Sequence, residues 1–424
     1  MSAGIRAIRE RAPGFTQEFR RFVRFLLAEL RPKGKLLTPF NVITAAILVA
    51  TVVILTIRFA KGLGSVTNLS QDVPWGLWIG FDVVAGVAFA GGAYVITFMV
   101  YVLRVEKYHP ILRVTVLNGF LAYLFYSGAL LLDLGRPWNV INPIIGNSFG
   151  VSSVMFLVAW HFMLYLMALF FEFSPAIAEW LGWDRVRRVL NRLTLAGVIF
   201  GITLSILHQS GLGALFLMAR DKIHPLWYSE FIPLLFVVSS IFAGLSLVIV
   251  EGSLTQKIFH HRVGSRLKAS HDDIVFGLAR IATAVMFLYL FMHVLVFVHG
   301  QRAEYLGTGW GAWYLLELVG FTAVPAVLYA WGCERHRLNV VRLAALMAMV
   351  GILLNRLNVS IIAFKWYAPV RYVPTWMEIV VTLGVLSAEL WVYRWVVNRM
   401  PVLDFDMAHE DRPKLVPDAV RPAA

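Results

Sequence analysis

Cysteine and charge are what this sequence has least of. One cysteine, Cys333, stands among 424 residues. A lone thiol closes no internal disulfide. An iron–sulfur cluster takes about four such ligands, so a centre of that kind belongs to another chain. Charged residues make up 15% of the sequence and hydrophobic ones 59%, against roughly 25% and 45–50% in soluble domains. A soluble enzyme is thereby excluded. Short repeats and low-complexity tracts are absent as well. Residues 1–40 are expected not to be a cleavable signal peptide. They carry Arg6, Arg9, Arg11, Arg20, Arg21, Arg24, Arg31, Lys33 and Lys35 and meet no long apolar stretch before about Asn41. An amphipathic segment around Phe15–Leu30 is expected to lie on the cytoplasmic surface.

What is present is a series of apolar runs, each near the ~20 residues that cross a bilayer. They fall at 41–59, 76–103, 112–132, 151–173, 190–208, 231–250, 274–298, 312–332, 340–363 and 377–397. The connections alternate in charge. Basic ones carry Arg104, Lys107 and Arg113, then Arg185, Arg187, Arg188 and Arg192, then Lys257, Arg262, Arg266 and Lys268, then Arg335, Arg337 and Arg342, and last Arg394 and Arg399. The intervening connections are poorer, with Lys61, Arg136, Arg220 with Lys222, Arg302, and Lys365 with Arg371. The net charge of +13 is therefore an orientation signal, not a nucleic-acid footprint. The expected fold is all-α, a polytopic integral membrane protein of about ten transmembrane helices with both termini in the cytoplasm. Eight helices is the rival count. Residues 1–40 form a basic cytoplasmic segment, 41–400 the membrane domain, and 401–424 a proline-punctuated cytoplasmic tail.

Polar residues inside such runs are costly in lipid and are candidates for function. Most crowd the outer interface. Helix 2 opens at Pro74-Trp75-Gly76 with Asp82 about two turns further in, and helix 3 ends at Asp133-Leu134-Gly135-Arg136. Helix 5 is expected to end at His208-Gln209-Ser210-Gly211, followed by His224-Pro225-Leu226-Trp227. Glu317 lies in helix 8, Arg356 in helix 9, and Pro374-Thr375-Trp376 with Glu378 opens helix 10. A quinone suits this setting, because its tail is lipid-soluble and its two carbonyls need donors and, on reduction, protons. His208 can donate or accept near neutral pH. Gln209 and Tyr123 add hydrogen-bonding capacity, and Asp82 or Asp133 can relay protons. Toward the cytoplasm, Glu172, Glu251 and Glu389 outline a proton path.

Simpler readings stand beside these. Asp133 and Arg136 can pair with each other, and His208 can cap its own helix. Trp75, Trp227 and Trp376 can form an aromatic belt. Arg356, inside the bilayer, needs an acidic partner, for which Glu317 and Asp82 are the candidates. His161 and His293 lie mid-helix but lack flanking glycines for a haem between them, and are read as packed polar residues. No metal site is expected.

Taken in order, Gly62-Leu63-Gly64-Ser65-Val66, Pro74-Trp75-Gly76, Phe81-Asp82, Gly91-Gly92, Lys107-Tyr108-His109-Pro110, Asp133-Leu134-Gly135-Arg136-Pro137-Trp138 and Glu172-Phe173-Ser174-Pro175 form one pattern. It continues through Leu181-Gly182-Trp183, His208-Gln209-Ser210, His224-Pro225-Leu226-Trp227, Glu251-Gly252-Ser253-Leu254 and Pro374-Thr375-Trp376. The set resembles the NrfD/polysulfide-reductase membrane-subunit family, most closely its ten-helix branch, over about 60–400. That branch includes membrane subunits of nickel–iron hydrogenase and of the menaquinone reductase complex of sulfate reducers.

The resemblance implies two four-helix bundles with a flanking helix at each end, in a bacterial inner membrane. It also implies menaquinone or ubiquinone bound at the outer face, and no haem in this chain. The implied partners are a ferredoxin-like iron–sulfur subunit and a periplasmic catalytic subunit of molybdopterin, multihaem cytochrome or nickel–iron hydrogenase type. The expected quinone-binding residues are His208, Asp82, Tyr123, Arg136, Asp133 and Gln209. Those expected to move protons are Glu172, Glu251, Glu389, Glu317 and Arg356. One departure stands out: a helix 4 glutamate of the hydrogenase-type chains falls at Leu157 here, which puts a hydrogenase-like proton route in doubt. A secondary transporter and a passive anchor for redox subunits are the rival classes. A transporter should show broken helices and an internal repeat at the midplane, and an anchor has no need of buried acids.

Overall fold

The computed structural model describes residues 15–33, 35–142 and 150–403. Among these, ten helices are long and apolar enough to cross a membrane. In chain order helices 1 to 5 are Pro39–Lys61, Trp78–Val102, Glu106–Asp133, Val154–Trp180 and Asp184–Leu217. Helices 6 to 10 are Ile232–Ile258, Leu267–His299, Gly309–Glu334, Leu338–Ile362 and Trp376–Val397. The shortest has 22 residues, about 33 Å at 1.5 Å per residue, which clears a hydrocarbon core of about 30 Å. Strand structure among the described residues is limited to an isolated bridge between Ile223 and Phe364.

Local chemistry sets several of the helix ends. Thr38 caps helix 1 by accepting from Asn41 N at 3.1 Å, Pro39 follows it, and Gly62 at φ 89° ends the helix. Thr375 and Glu378 close a reciprocal capping box on helix 10. Helices 4 and 5 outrun their apolar runs. Helix 4 continues through Pro175 to Trp180, so Glu172 lies inside the helix, not at its end. Helix 5 starts at Asp184 and continues to Leu217. The arginines at its start are good helix formers exposed to water, and past the polar His-Gln-Ser triplet the chain is apolar again. His208 therefore lies more than two turns inside helix 5.

Helices 2–5 pack as one four-helix bundle and helices 6–9 as a second. Helix 10 lies on helices 1 and 3, which places one flanking helix from each end of the chain side by side. Helix 2 is the hub: 89% of its apolar window is buried, against 17% for helix 1, which faces outward. The two bundles meet where helix 2 crosses helix 6. A Cβ on Gly244 would overlap the amide nitrogen of Gly92, and one on Gly91 would overlap the carbonyl of Ser240. Only glycine permits so close a crossing.

Both described chain ends lie at one end of the molecule, here termed basal. Arg394 donates to Asn41 Oδ1 at 2.8 Å, and Trp391 donates to Thr44 Oγ1 at 2.8 Å. A surface helix, Phe15–Glu29, occupies the expected amphipathic segment. It is tied down by Arg399, which contacts the Glu29 carboxylate at 3.2 Å and the Arg31 carbonyl at 2.7 Å. After helix 10, Val402 and Leu403 are buried in the basal core. The tail expected at 401–424 is thus packed through Leu403, and 404–424 lie outside the described residues. Toward the opposite, distal end, three helices widen into π-helical turns at Trp78–Ala85, Leu316–Ala323 and Asn358–Ile362. Such turns often accompany functional residues, and these hold Asp82, Glu317 and Asn358.

Candidate functional site

His208 lies in the core of the first bundle. Its ring is fully buried between Tyr123 of helix 3, at 5.5 Å between centroids, and Phe162 of helix 4, at 5.2 Å. Tyr165 of helix 4 meets Tyr123 edge-on at 4.7 Å. Ser205, one turn before His208 in helix 5, lies beside both tyrosines. Gln209 donates its amide to the Val87 carbonyl of helix 2 at 2.9 Å, which leaves its oxygen over. The contacts within the cluster are loose: Gln209 and Ser205 approach the Tyr123 hydroxyl, Ser205 that of Tyr165, and the Val158 backbone the His208 ring, none of them at regular hydrogen-bonding geometry. A buried polar group left unpaired costs about 1–3 kcal/mol. Five loosely held polar atoms around one histidine are free to turn toward a third group.

Asp82 sits elsewhere. Val87, the residue of helix 2 that contacts Gln209, is five positions on and faces another direction. Asp82 is fully buried, with Thr382 approaching its carboxylate and neither oxygen bonded at regular geometry. Its neighbours are Thr382 and Glu389 of helix 10 and Asp133 of helix 3. Asp133 in turn lies near Arg58 and Glu378. Arg136 is exposed beyond the end of helix 3. The structure therefore brings together His208, Tyr123 and Gln209, groups Asp82 with Asp133 at a second place, and leaves Arg136 on the distal surface.

In the second bundle Arg356 is fully buried, 3.6 Å above the Phe236 ring. It donates to Ser239 Oγ at 2.7 Å and to Asn355 Oδ1 at 2.8 Å. Asn355 then donates to Glu317 at 2.7 Å. Glu317 also receives Trp227 Nε1 at 2.6 Å and Asn358 Nδ2 at 2.5 Å. The acid anticipated for Arg356 is thus Glu317, joined to it through Asn355. Trp227 leads on to His224 in the distal loop, which is enclosed by Trp227, Tyr305, Trp310 and Trp366 at 4.7–5.6 Å. Burial, and after it the Arg302 charge, push the His224 imidazole down to about 4.

Glu172 lines a cavity of about 260 Å³ near the basal end of the first bundle, together with Tyr101, His109, Arg113, Asn191 and Thr194. Tyr165, two turns earlier on helix 4, lies within its electrostatic reach. Glu251 of helix 6 accepts from the Tyr393 hydroxyl of helix 10 and lies beside Asn118 of helix 3. Glu389 lies beside Tyr126. His161 and His293 belong to helices 4 and 7, in different bundles, and His293 Nδ1 is 3.3 Å from the Tyr314 hydroxyl. Among the described residues no three His, Cys, Asp or Glu side chains gather as a metal site would require. Leu157 is exposed on helix 4 between buried Phe156 and Val158.

Sequence reasoning missed Tyr165, Ser205, Tyr126, Thr382 and Arg58. Ser205 precedes His208 by three residues, and Tyr126 precedes Asp133 by seven. Helical spacing alone sets each on the same face as its partner. Arg58 gave no such signal. It donates to the Leu132 carbonyl at 2.9 Å and to that of Leu134, completing the end of helix 3 from helix 1.

Comparison with known proteins bears on the same helices. Over 380 residues the chain is 44% identical to a protein of Nitratidesulfovibrio vulgaris Hildenborough, covering 88% of this chain and 98% of that one. It is 30% identical over 374 residues to the probable Ni/Fe-hydrogenase 2 b-type cytochrome subunit of Escherichia coli K12, covering 87% and 94%. It is 20% identical over 412 residues to a selenate reductase subunit of Mesobacillus selenatarsenatis, covering 84% and 92%. The family described as polysulphide reductase, NrfD, matches residues 65–365, most of the chain and nearly all of both bundles. The chain is a multi-pass integral membrane protein of the NrfD polysulphide reductase family.

Proposed function

We propose that this chain is the quinone-binding membrane subunit of a respiratory oxidoreductase complex, exchanging electrons between menaquinone and a periplasmic iron–sulfur subunit. The observation that carries the reading is the buried cluster of loosely bonded polar atoms around His208, enclosed by aromatic rings. Such a pocket suits a flat, apolar ring with two carbonyls. Exposed Met155, Leu157, Ile206 and Leu207 on helices 4 and 5 offer an apolar surface for an isoprenoid tail. Positive-inside bias makes the basal end cytoplasmic, since it carries the arginine-rich connections. The His208 site then lies in the outer half of the bilayer.

Quinone reduction takes two electrons and two protons. One ring nitrogen of His208 and the Tyr123 hydroxyl are the donors to the carbonyls, and both can pass on a proton. Gln209, anchored to the Val87 carbonyl, fixes the helix 2 wall of the pocket. Tyr165, with Ser205 beside it, stands between this pair and Glu172, whose cavity opens toward the basal side and supplies protons. Glu317 and Arg356, each held by several hydrogen bonds, act as a fixed charge pair that sets helices 6, 8 and 9. The electrons come from a partner subunit, as the hydrogenase and reductase names of two relatives suggest.

The test is purification of the native complex in mild detergent, with lipid extraction and kinetics. Menaquinone and an iron–sulfur subunit should co-purify, and His208→Ala should lose quinone-dependent turnover at least tenfold. Normal turnover in that variant sinks the site.

A further inference from the structure

We infer that the basal cavity of the first bundle binds the headgroup of an anionic glycerophospholipid, one whose phosphate is followed by free hydroxyls. Four helices end around it. Tyr101 comes from helix 2, His109 and Arg113 from helix 3, Glu172 from helix 4, and Asn191 and Thr194 from helix 5. Each lies within ten residues of the basal end of its helix, and so within about 15 Å of it. The cavity therefore sits where the headgroup layer meets the hydrocarbon. Its volume of about 260 Å³ is room for about nine waters at about 30 Å³ each. That is space for a small hydrated group, well beyond what one ordered water fills.

Charge selects an anion. Arg113 and Arg187 both reach Glu179, at 2.8 and 3.7 Å, which holds the two guanidiniums close together. Arg113 also donates to the Pro401 carbonyl at 2.9 Å, so it is fixed from a second side. Arg187, Asn191 and Thr194 follow at intervals of four and three on one face of helix 5, which runs from the charged rim to the cavity wall. Helix 5 opens with Arg185, Arg187, Arg188 and Arg192 against Asp184 alone, an excess that draws anions to this end of the bundle. Guanidinium forks match phosphate oxygens. Glu172 sets the other half of the preference. Its Oε1 stands against helix 5, 2.8 Å from where a Cβ on Gly201 would lie. A bare anion would be repelled by a carboxylate in the same cavity. Hydroxyls beyond the phosphate bring O–H donors to Glu172 instead, with Asn191 and Tyr101 as further partners.

What flanks the cavity favours a lipid over a soluble phosphate. Helices 2 and 5 pack together at their basal ends. On helix 2, Phe98 lies one turn before Tyr101 and Val102 directly after it. On helix 5, Leu195 and Ile199 follow Asn191 at successive turns. All four are exposed apolar side chains. They form a border along which acyl chains can run while the phosphate turns inward. Basic pockets between transmembrane helices on the cytoplasmic side suit such headgroups.

The site does not depend on the proposed redox role, and its readout involves no quinone. The native complex is stripped of loosely held lipid by detergent exchange. It is then given phosphatidylglycerol, phosphatidylethanolamine, phosphatidylcholine or glycerol phosphate. Native mass spectrometry counts the lipid retained, and the midpoint of thermal inactivation is followed. One phosphatidylglycerol per chain should be held at least about tenfold more strongly than phosphatidylcholine, with a rise in midpoint. Arg187→Gln and Asn191→Leu should each remove that preference. Arg335→Gln, on the basal rim of the second bundle, should leave it intact. Equal retention of all three lipids overturns the site, and a preference for phosphatidylethanolamine overturns the hydroxylated anionic headgroup. Stabilisation by glycerol phosphate equal to that by the lipid overturns the membrane source and assigns the cavity to a soluble phosphate. A preference that survives both cavity variants places the lipid elsewhere and overturns the assignment. If Arg187→Gln fails to assemble, Asn191→Leu decides.

Discussion

Tyr123 and His208 come from different helices of the first bundle, yet their rings lie 5.5 Å apart at 62°, and neither polar end is bonded at regular geometry within the chain. Such a pair is poised to act on a third group. Removal of a positioned proton donor costs about 10²–10⁴ in rate. Tyr123→Phe should therefore lower quinone turnover about a hundredfold while keeping the fold, since the ring still packs on Phe162 and Tyr165. The purified complex should elute unchanged on gel filtration. Turnover within threefold of wild type would remove Tyr123 from the chemistry.

The hydroxyl of Tyr123 was visible in the sequence, but its setting was not. Composition, run length and loop charge were enough for ten helices, because lipid imposes those requirements locally. The glycine pair at Gly91-Gly92 and the order of motifs were enough for the family. Which polar residues meet depends on helix rotation. The sequence grouped Asp82 with His208 because both lie toward the distal end. The structure parts them because helix 2 turns Asp82 toward helix 10 and Val87 toward helix 5. Depth was legible and azimuth was not. Spacing on helices 3 and 10 held some of the missing information, and it became readable only once those helices were known to be neighbours.

Arg356 and Glu317 invite a different test. Removing one member of a buried charge pair leaves the other uncompensated and typically costs about 3–5 kcal/mol, while replacing both costs far less. Arg356→Met alone should lower the midpoint of thermal inactivation sharply. Arg356→Met with Glu317→Gln should recover part of it, because Trp227 and Asn358 can still donate to the glutamine amide oxygen, while Asn355, freed from Arg356, can turn its own oxygen to accept from the glutamine NH2. A double variant that behaves as the sum of two independent losses would rule out the pairing.

Helix crossing makes a sharper prediction. Gly244→Ala forces a methyl group into the backbone of helix 2 at Gly92, where no side chain can move aside. The two bundles cannot then meet at their present distance, and no folded chain should be recovered from membranes. Gly128, in helix 3, has nothing within 4 Å of an added Cβ. Gly128→Ala should be neutral, or stabilising by up to about 1 kcal/mol through the loss of glycine's freedom in a helix. Equal expression and thermal stability of the two variants would mean that helices 2 and 6 do not cross there.

His224 gives the fold a pH dependence outside the membrane span. Its Nδ1 accepts the Leu226 amide at 3.2 Å, which requires an unprotonated nitrogen, and Arg302 stands nearby. Burial first, and Arg302 second, lower its pKa from the usual 6.5 to about 4. The unfolded chain therefore binds more protons than the folded one between those values, so stability rises with pH across that window. This contribution is complete above about pH 6.5 and is lost as the pH falls toward 4. The packing of the distal loops should weaken accordingly, at about 2–4 °C in midpoint for each kcal/mol lost. Thermal scans of the solubilised complex at pH 7.5 and 4.5 should show a larger drop in wild type than in His224→Phe, which keeps an aromatic ring in the enclosure and cannot titrate. Equal drops would assign the acid sensitivity to other groups.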